Sequence, residues 1–127
     1  MNGPRPSETP EIEHPPAGTF VCRLDELKTV GSKGISFGEG RFAFSMFVVR
    51  RNDEVYAYVN DCPHTKGPLE WVPDKFLDVE LTHILCSRHG ALFRFEDGLC
   101  VSTPCPGAYL TPVGIEIKDG DILIADN

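Results

Sequence analysis

The sequence lacks any run of 18 consecutive apolar residues, so no segment has the composition of a transmembrane helix. It also lacks a basic excess, because the net charge is −7. Nucleic acids and anionic membranes bind basic surfaces, and we therefore expect neither as a partner. The first ten residues hold no apolar stretch of the kind found in secretory signals, so the expected location is cytoplasmic.

A long apolar repeat of 3.6 residues is missing as well, which argues against a helical domain. Several segments are instead rich in β-branched and aromatic residues or alternate with period two. The predicted strands are residues 19–24, 41–50, 54–59, 113–118 and 121–125. Asp119-Gly120 separates the last two and is typical of a tight hairpin turn. The predicted fold class is all-β, a small antiparallel β-sandwich or barrel, with one helical turn at residues 25–28.

Glycine and proline mark the expected irregular segments. Four glycines, at positions 31, 34, 38 and 40, predict a loop between the first strand and the first hairpin. Residues 1–18 contain five of the eleven prolines and read as a flexible N-terminal tail. Residues 61–110 combine prolines with brief strands at 84–85, 91–94 and 99–101, which predicts short strands separated by loops.

Cysteine is scarce, and its spacing does not suggest a disulfide framework. Of the five cysteines, two lie in the boxes Cys62-Pro-His64 and Cys86-Ser-Arg-His89. The odd three that remain, Cys22, Cys100 and Cys105, fit a reducing compartment. Cys100 and Cys105 are expected to be small buried side chains or to pack within loops.

The two boxes supply two thiolates and two imidazoles, a complete set of four metal ligands, with 21 residues between His64 and Cys86. The order C-x-H…C-x-x-H suits a [2Fe–2S] cluster with two cysteines on one iron and two histidines on the other. Zinc also accepts a Cys₂His₂ set, although zinc fingers usually open with C-x₂₋₄-C. A zinc-stabilised interaction module therefore stays open as an alternative.

The residues around the boxes resemble the Rieske family. The similar segments are Cys62–Leu69, Cys86–Phe93 and Glu96–Leu110, the last of which is similar to the proline-containing loop that covers the cluster in that family. The resemblance extends over roughly residues 19–125. It implies a Rieske [2Fe–2S] domain at residues 19–127, with a cluster-binding subdomain at about residues 61–110 inserted between strands of a larger sheet.

The resemblance implies one [2Fe–2S] cluster whose buried iron is held by Cys62 and Cys86. His64 and His89 are then the ligands of the outer iron. Respiratory members of the family have an extra cysteine in each box, joined in a disulfide. Gly67 and Arg88 stand in those places here, which implies the soluble ferredoxin branch.

Two positions after the second box bear on the reduction potential. High-potential members of the family place a serine and a tyrosine hydroxyl where this chain has Ala91 and Phe93. Neither side chain can donate a hydrogen bond, so the reduced, more negative cluster is stabilised less. A low potential within the Rieske range of about −150 to +300 mV is expected.

The resemblance implies a soluble Rieske-type ferredoxin, a one-electron carrier between a flavin-containing NAD(P)H reductase and a terminal oxygenase. Catalysis by the chain itself is not expected, because only His14 and His83 remain for a mononuclear iron site. Alternatives are the small subunit of a reductase such as nitrite reductase, and a redox-sensing module. Docking roles for Lys66, Trp71 and Arg88 stay open.

Overall fold

The computed structural model describes residues 15–38, 44–63, 67–70, 72–87, 90–102 and 107–125. Its strands are β1 (Phe20–Arg23), β2 (Val30–Phe37), β3 (Phe44–Arg51), β4 (Glu54–Val59), β5 (Ile84–Cys86), β6 (Ala91–Phe93), β7 (Ile115–Lys118) and β8 (Asp121–Ile124). A 3-10 helix at Leu24–Glu26 follows β1, close to the predicted helical turn. In the described part of the chain, no helix is long and apolar enough to cross a bilayer.

All strand pairs are antiparallel, which confirms the predicted fold class. The strands form two three-stranded sheets, β1-β8-β7 and β2-β3-β4, and a two-stranded sheet, β5-β6. Both predicted hairpins are present as β3–β4 and β7–β8. The turn between β7 and β8 uses Asp119 at φ 53° and Gly120 at φ 82°. Two positive φ values are what a two-residue hairpin turn of this kind requires.

The predicted loop around the four glycines is wrong, because residues 30–37 form β2. This strand pairs with β3 over eight positions, from Val30 opposite Arg51 to Phe37 opposite Phe44. At Gly34, an added Cβ atom would lie 3.2 Å from the Phe76 ring. The glycine there permits close approach of an aromatic side chain and does not interrupt the strand.

Strand β3 lies between two apolar cores and contributes alternate residues to each, as the period of a strand dictates. Met46 and Val48 enter the sandwich core between the three-stranded sheets. Its buried members are Val21, Cys22, Leu27, Phe44, Met46, Val48, Ala57, Val113, Ile122 and Ile124. Phe47 and Val49 enter the cysteine core on the other face of the sheet. Its buried members are Phe47, Val49, Tyr58, Cys62, Leu69, Phe76, Ile84, Cys86, Ala91, Phe93, Phe95, Cys100 and Leu110.

Candidate metal centre

The first box lies in the loop that follows β4. Cys62 is completely buried, and its backbone N–H donates to the carbonyl oxygen of Gly67 at 2.8 Å. This bond joins the described residues on either side of positions 64–66. The loop therefore holds the Cys62 thiol against the cysteine core rather than toward solvent.

The second box begins at the last residue of β5. Cys86 is completely buried and pairs with Ala91 at the end of the β5–β6 hairpin. The backbone N–H of Gly90 donates to the carbonyl oxygen of Cys86 at 2.9 Å, with Gly90 at φ 78°. Other residues rarely adopt this left-handed conformation, so Gly90 allows the tight turn that directs Cys86 inward.

A backbone hydrogen bond joins the two box loops. The N–H of Ser87, directly after Cys86, donates to the carbonyl oxygen of Leu69 at 2.8 Å. Leu69, in the first of these loops, is itself completely buried in the cysteine core. The fold thus places the cysteines of both boxes in one core on adjoining loops.

Asn60 anchors the first box loop through side-chain hydrogen bonds, a role that the sequence analysis did not predict. Its Oδ1 accepts a hydrogen bond from the Leu69 N–H at 2.9 Å. Its Nδ2 donates to Glu70 Oε1 at 3.0 Å and to Ser45 Oγ at 3.3 Å. The sequence feature that could have indicated this role is the position of Asn60, a polar residue two positions before Cys62 at the end of a predicted strand.

The third loop folds back over β6. Cys100 N–H donates to the Ala108 carbonyl at 2.8 Å, and Gly107 N–H donates to the Cys100 carbonyl at 3.0 Å. The hydroxyl of Ser102 accepts a bond from the Leu92 N–H at 2.9 Å. Cys100 is buried in the cysteine core, as expected for a packing residue, and Cys105 lies outside the described residues.

Several predicted site residues lie outside the part of the chain that the structure describes. They are His14, His64, Lys66, Trp71, Arg88 and His89. Within the described ranges, no group of three or more His, Cys, Asp or Glu side chains is placed to hold a metal ion. His83 lies in a different local structure, where its Nδ1 is 3.0 Å from Thr82 Oγ1 and 3.9 Å from Asp78 Oδ2.

The thiols of the two boxes differ in setting from Cys22. Cys22 is buried in the sandwich core, where desolvation, reinforced by nearby Glu26, raises the pKa of its thiol to about 11. Cys62 and Cys86 lie instead on adjoining loops of the cysteine core, where their two sulfur atoms fit the thiolate half of a [2Fe–2S] ligand set.

The positions that bear on the potential lie beside the second box. Ala91 is paired with Cys86, and Phe93 follows two residues later on the same face of β6. Both side chains are buried in the cysteine core, and neither carries a hydrogen-bond donor. The structure therefore places the two donor-free positions in the core that holds Cys62 and Cys86.

The chain resembles several solved structures. The ferredoxin of carbazole 1,9a-dioxygenase from Nocardioides aromaticivorans IC177 has a TM-score of 0.65 and 25% identity, with 89% of this chain and 100% of that chain covered. The Sphingomonas yanoikuyae B1 ferredoxin has a TM-score of 0.66 and 20% identity, with 87% and 99% covered. A putative nitrite reductase NADPH small subunit has a TM-score of 0.61 and 16% identity, with 84% and 95% covered.

A family model and a search of curated proteins complete the comparison. No curated protein matches the chain. The model of the Rieske [2Fe-2S] domain matches residues 18–118, a range that includes both boxes and all strands except β8. Together with the ferredoxin-like fold, this match shows that the chain belongs to the Rieske [2Fe-2S] domain family and binds one [2Fe–2S] cluster.

Proposed function

We propose that this protein is a ferredoxin that carries single electrons from a flavin-containing NAD(P)H reductase to a terminal oxygenase. The observation that supports the proposal most is the match in fold to the carbazole dioxygenase ferredoxin, all of which is covered. The chain also matches the monooxygenase CntA, but over only 33% of the length of that protein.

The proposed cluster ligands are Cys62, His64, Cys86 and His89. When bound, the cluster accepts and releases one electron at a potential set by its ligands and surroundings. The protein supplies the two thiolates from completely buried positions, where water does not reach them. The bond between the Ser87 N–H and the Leu69 carbonyl joins the two loops that carry the thiolates.

Iron and sulfide analysis of anaerobically purified protein tests the cluster-based function. We expect about two irons and two sulfides per chain and a red-brown colour. The reduced protein should pass one electron to an added Rieske oxygenase and be reduced again by a flavin reductase with NADH. Stoichiometric zinc and no visible absorbance would contradict the proposal.

Replacement of the cysteines tests the ligand assignment. Cys62→Ser or Cys86→Ser should abolish the cluster absorbance. The matched control is the triple variant Cys22→Ala, Cys100→Ala, Cys105→Ala, which should keep the visible spectrum and lose at most roughly 1–3 kcal/mol of stability from core packing. Loss of the cluster in a folded triple variant would show that a ligand is misassigned.

A second candidate is the small subunit of a multicomponent reductase, which the fold of the nitrite reductase small subunit favours. Such a subunit forms a permanent complex, whereas a carrier must dissociate between partners. Analytical ultracentrifugation of the protein with each partner separates the two. A complex that stays intact at nanomolar concentration would favour the subunit.

A further inference from the structure

The outer edge of β7 has no strand beside it. β7 is the last strand of the sheet β1-β8-β7, so β8 covers only one of its two edges. Ile124 of β8 is paired with Ile115, but it donates its N–H to the Thr19 carbonyl on the other side, next to β1. Because antiparallel pairs alternate between bonded and non-bonded, Ile115 and Ile117 direct their backbone groups away from β8. In the described part of the chain, no backbone hydrogen bond reaches these outward groups.

The side chains at this edge are exposed as well. Ile117 is 45% exposed, although its cross-strand partner Ile122 is completely buried in the sandwich core. Directly opposite residues share a face of the sheet, so Ile117 lies on the core side of β7. Its neighbours Glu116 and Lys118 are exposed on the outer face of the same strand. The sandwich core is therefore open to solvent along β7.

Two opposite charges stand two residues apart on the outer face of this edge. Among the described residues, neither Glu116 nor Lys118 forms an ion pair. An unpaired sheet edge is a template for a strand of another chain, and a lysine on the edge normally discourages such pairing. Lys118 has this effect only if the incoming strand places no carboxylate opposite it.

A second copy of β7 supplies that carboxylate in one register. Outward residues of the two strands must stand opposite each other, so an antiparallel copy can be centred on Glu116, Ile117 or Lys118. Centring on Glu116 or Lys118 places two like charges directly opposite, which is unfavourable. Centring on Ile117 places Glu116 of each copy opposite Lys118 of the other and brings the two exposed isoleucines together. The charge pattern of β7 is therefore complementary to itself about Ile117.

We propose that β7 is a dimerisation edge, to which a second copy of this chain adds in antiparallel orientation with Ile117 on the two-fold axis. The N–H of each Ile117 donates to the Ile117 carbonyl of the other copy, and two Glu116–Lys118 pairs flank these bonds. The two three-stranded sheets then form one sheet of six strands. The dimer is weak, because each copy contributes only one short strand. No residue of β7 is among the described members of the cysteine core, and the interface is independent of the proposed electron-carrier function.

Sedimentation equilibrium of the full, cluster-containing protein from micromolar to millimolar concentration tests the proposal. We expect a reversible equilibrium between monomer and dimer. Amide hydrogen exchange at Ile117 should slow as the dimer forms, because its N–H gains an acceptor. Exchange at Glu116 and Lys118, whose N–H groups face β8, should change less. A protein that stays monomeric over the whole range would overturn the proposal.

Charge reversal locates the interface and its register. Glu116→Lys or Lys118→Glu places like charges opposite each other twice and should weaken the dimer about tenfold. The double variant should restore the dimer to within about threefold of wild type, because the opposite charges again face each other. A mixture of the two single variants should form the heterodimer in preference to either homodimer. Glu80→Lys is the matched control, an equal charge change on an exposed loop, and should alter the dimer less than about twofold. A dimer that ignores Glu116→Lys, or a double variant without restoration, would overturn the proposal.

Two further outcomes would assign the edge to another occupant and also overturn the proposal. One is an Ile117 amide that is already protected from exchange in dilute, monomeric protein, which would show that the edge is paired within one chain. The other is a dimer that forms about tenfold more tightly when residues 1–14 are deleted, which would make that segment the occupant of the edge in the full chain.

Discussion

The two cores of this small domain are built in different ways. The sandwich core is filled by side chains from strands of two facing sheets, and regular pairing fixes their positions. The cysteine core draws many of its members from loops and from the short β5–β6 hairpin. Those loops are fastened by individual hydrogen bonds, such as those of Asn60 and Ser87.

This difference indicates that the sandwich core mainly stabilises the fold, whereas the cysteine core also supports the site. Sheet pairing sets the positions of β3 and β4 without help from the box loops. The cysteine core then uses one face of that sheet as a support. Changes in the sandwich core should therefore lower stability without a specific effect on the cluster. Changes in the cysteine core should affect both.

The largest contrast is expected between Phe76→Ala and Met46→Ala. Both residues are completely buried, Phe76 in the cysteine core and Met46 in the sandwich core. Phe76 stacks on Phe47 with ring centroids 4.4 Å apart. Each truncation should cost about 2–5 kcal/mol. Only Phe76→Ala should speed the loss of visible absorbance in a chelator, under conditions where both variants stay folded. Faster loss in Met46→Ala would contradict the division into two cores.

At alkaline pH, the buried thiol of Cys22 in the sandwich core should lower the stability of the folded protein. The pKa of Cys22 is about 11 in the folded protein, above the value of about 8.5 for an unfolded chain. Between these values the folded state keeps a proton that the unfolded state loses, so stability falls as pH rises. Near pH 11, titration of Cys22 should have lowered the free energy of unfolding by roughly 2–3 kcal/mol.

Urea unfolding of wild type and Cys22→Ala from pH 8 to pH 11 measures this contribution. The wild type should lose more stability over that range than the variant. Equal slopes would show that the thiol does not titrate differently in the two states.

Asn60→Ala should remove the side-chain hydrogen bonds that anchor the first box loop. The substitution leaves the Leu69 N–H, in a completely buried residue, without its acceptor. We expect a loss of about 1–3 kcal/mol in the free energy of unfolding. Ser45→Ala is the control, because it removes only the contact at 3.3 Å from Asn60 and should cost less. A smaller effect of Asn60→Ala than of the control would contradict the role given to this amide.

The smallest expected effect is on the reduction potential. Ala91→Ser and Phe93→Tyr should each raise it by about 40 mV, if one hydrogen bond favours the reduced form by about 1 kcal/mol. Leu92→Ser is the control, because its side chain points to the opposite face of β6. Protein-film voltammetry measures all three. No upward shift, or an equal shift in the control, would remove the explanation for a low potential.

The strands were largely predictable because their residue types carry the signal. β4 was predicted at its observed bounds, Glu54–Val59, and the turn at Asp119-Gly120 was recognised from its sequence. β2 was missed because its glycines serve a tertiary purpose. The need for Gly34 to admit the Phe76 ring arises from a residue 42 positions away, which no local pattern reports.

For the site, the sequence predicted the candidate ligand residues but not the hydrogen bonds that hold the loops carrying them. Cys62 and Cys86 were recognised from their boxes, and the structure places both in one core. The bond from Ser87 to Leu69 joins backbone groups of two separate loops, and backbone groups leave no trace in residue types. The ligand roles of all four box residues, Cys62, His64, Cys86 and His89, stay predictions.

The pairing of β1 with β8 has a consequence for biosynthesis. Phe20 pairs with Leu123, so the first strand can form this pair only after a segment about one hundred residues later in the chain has been synthesised. Every described member of the cysteine core precedes residue 111. On the ribosome, the loops that carry Cys62 and Cys86 are therefore complete before the sandwich can close. Non-local pairing of this kind folds slowly, so those loops are synthesised well before the final strand is in place.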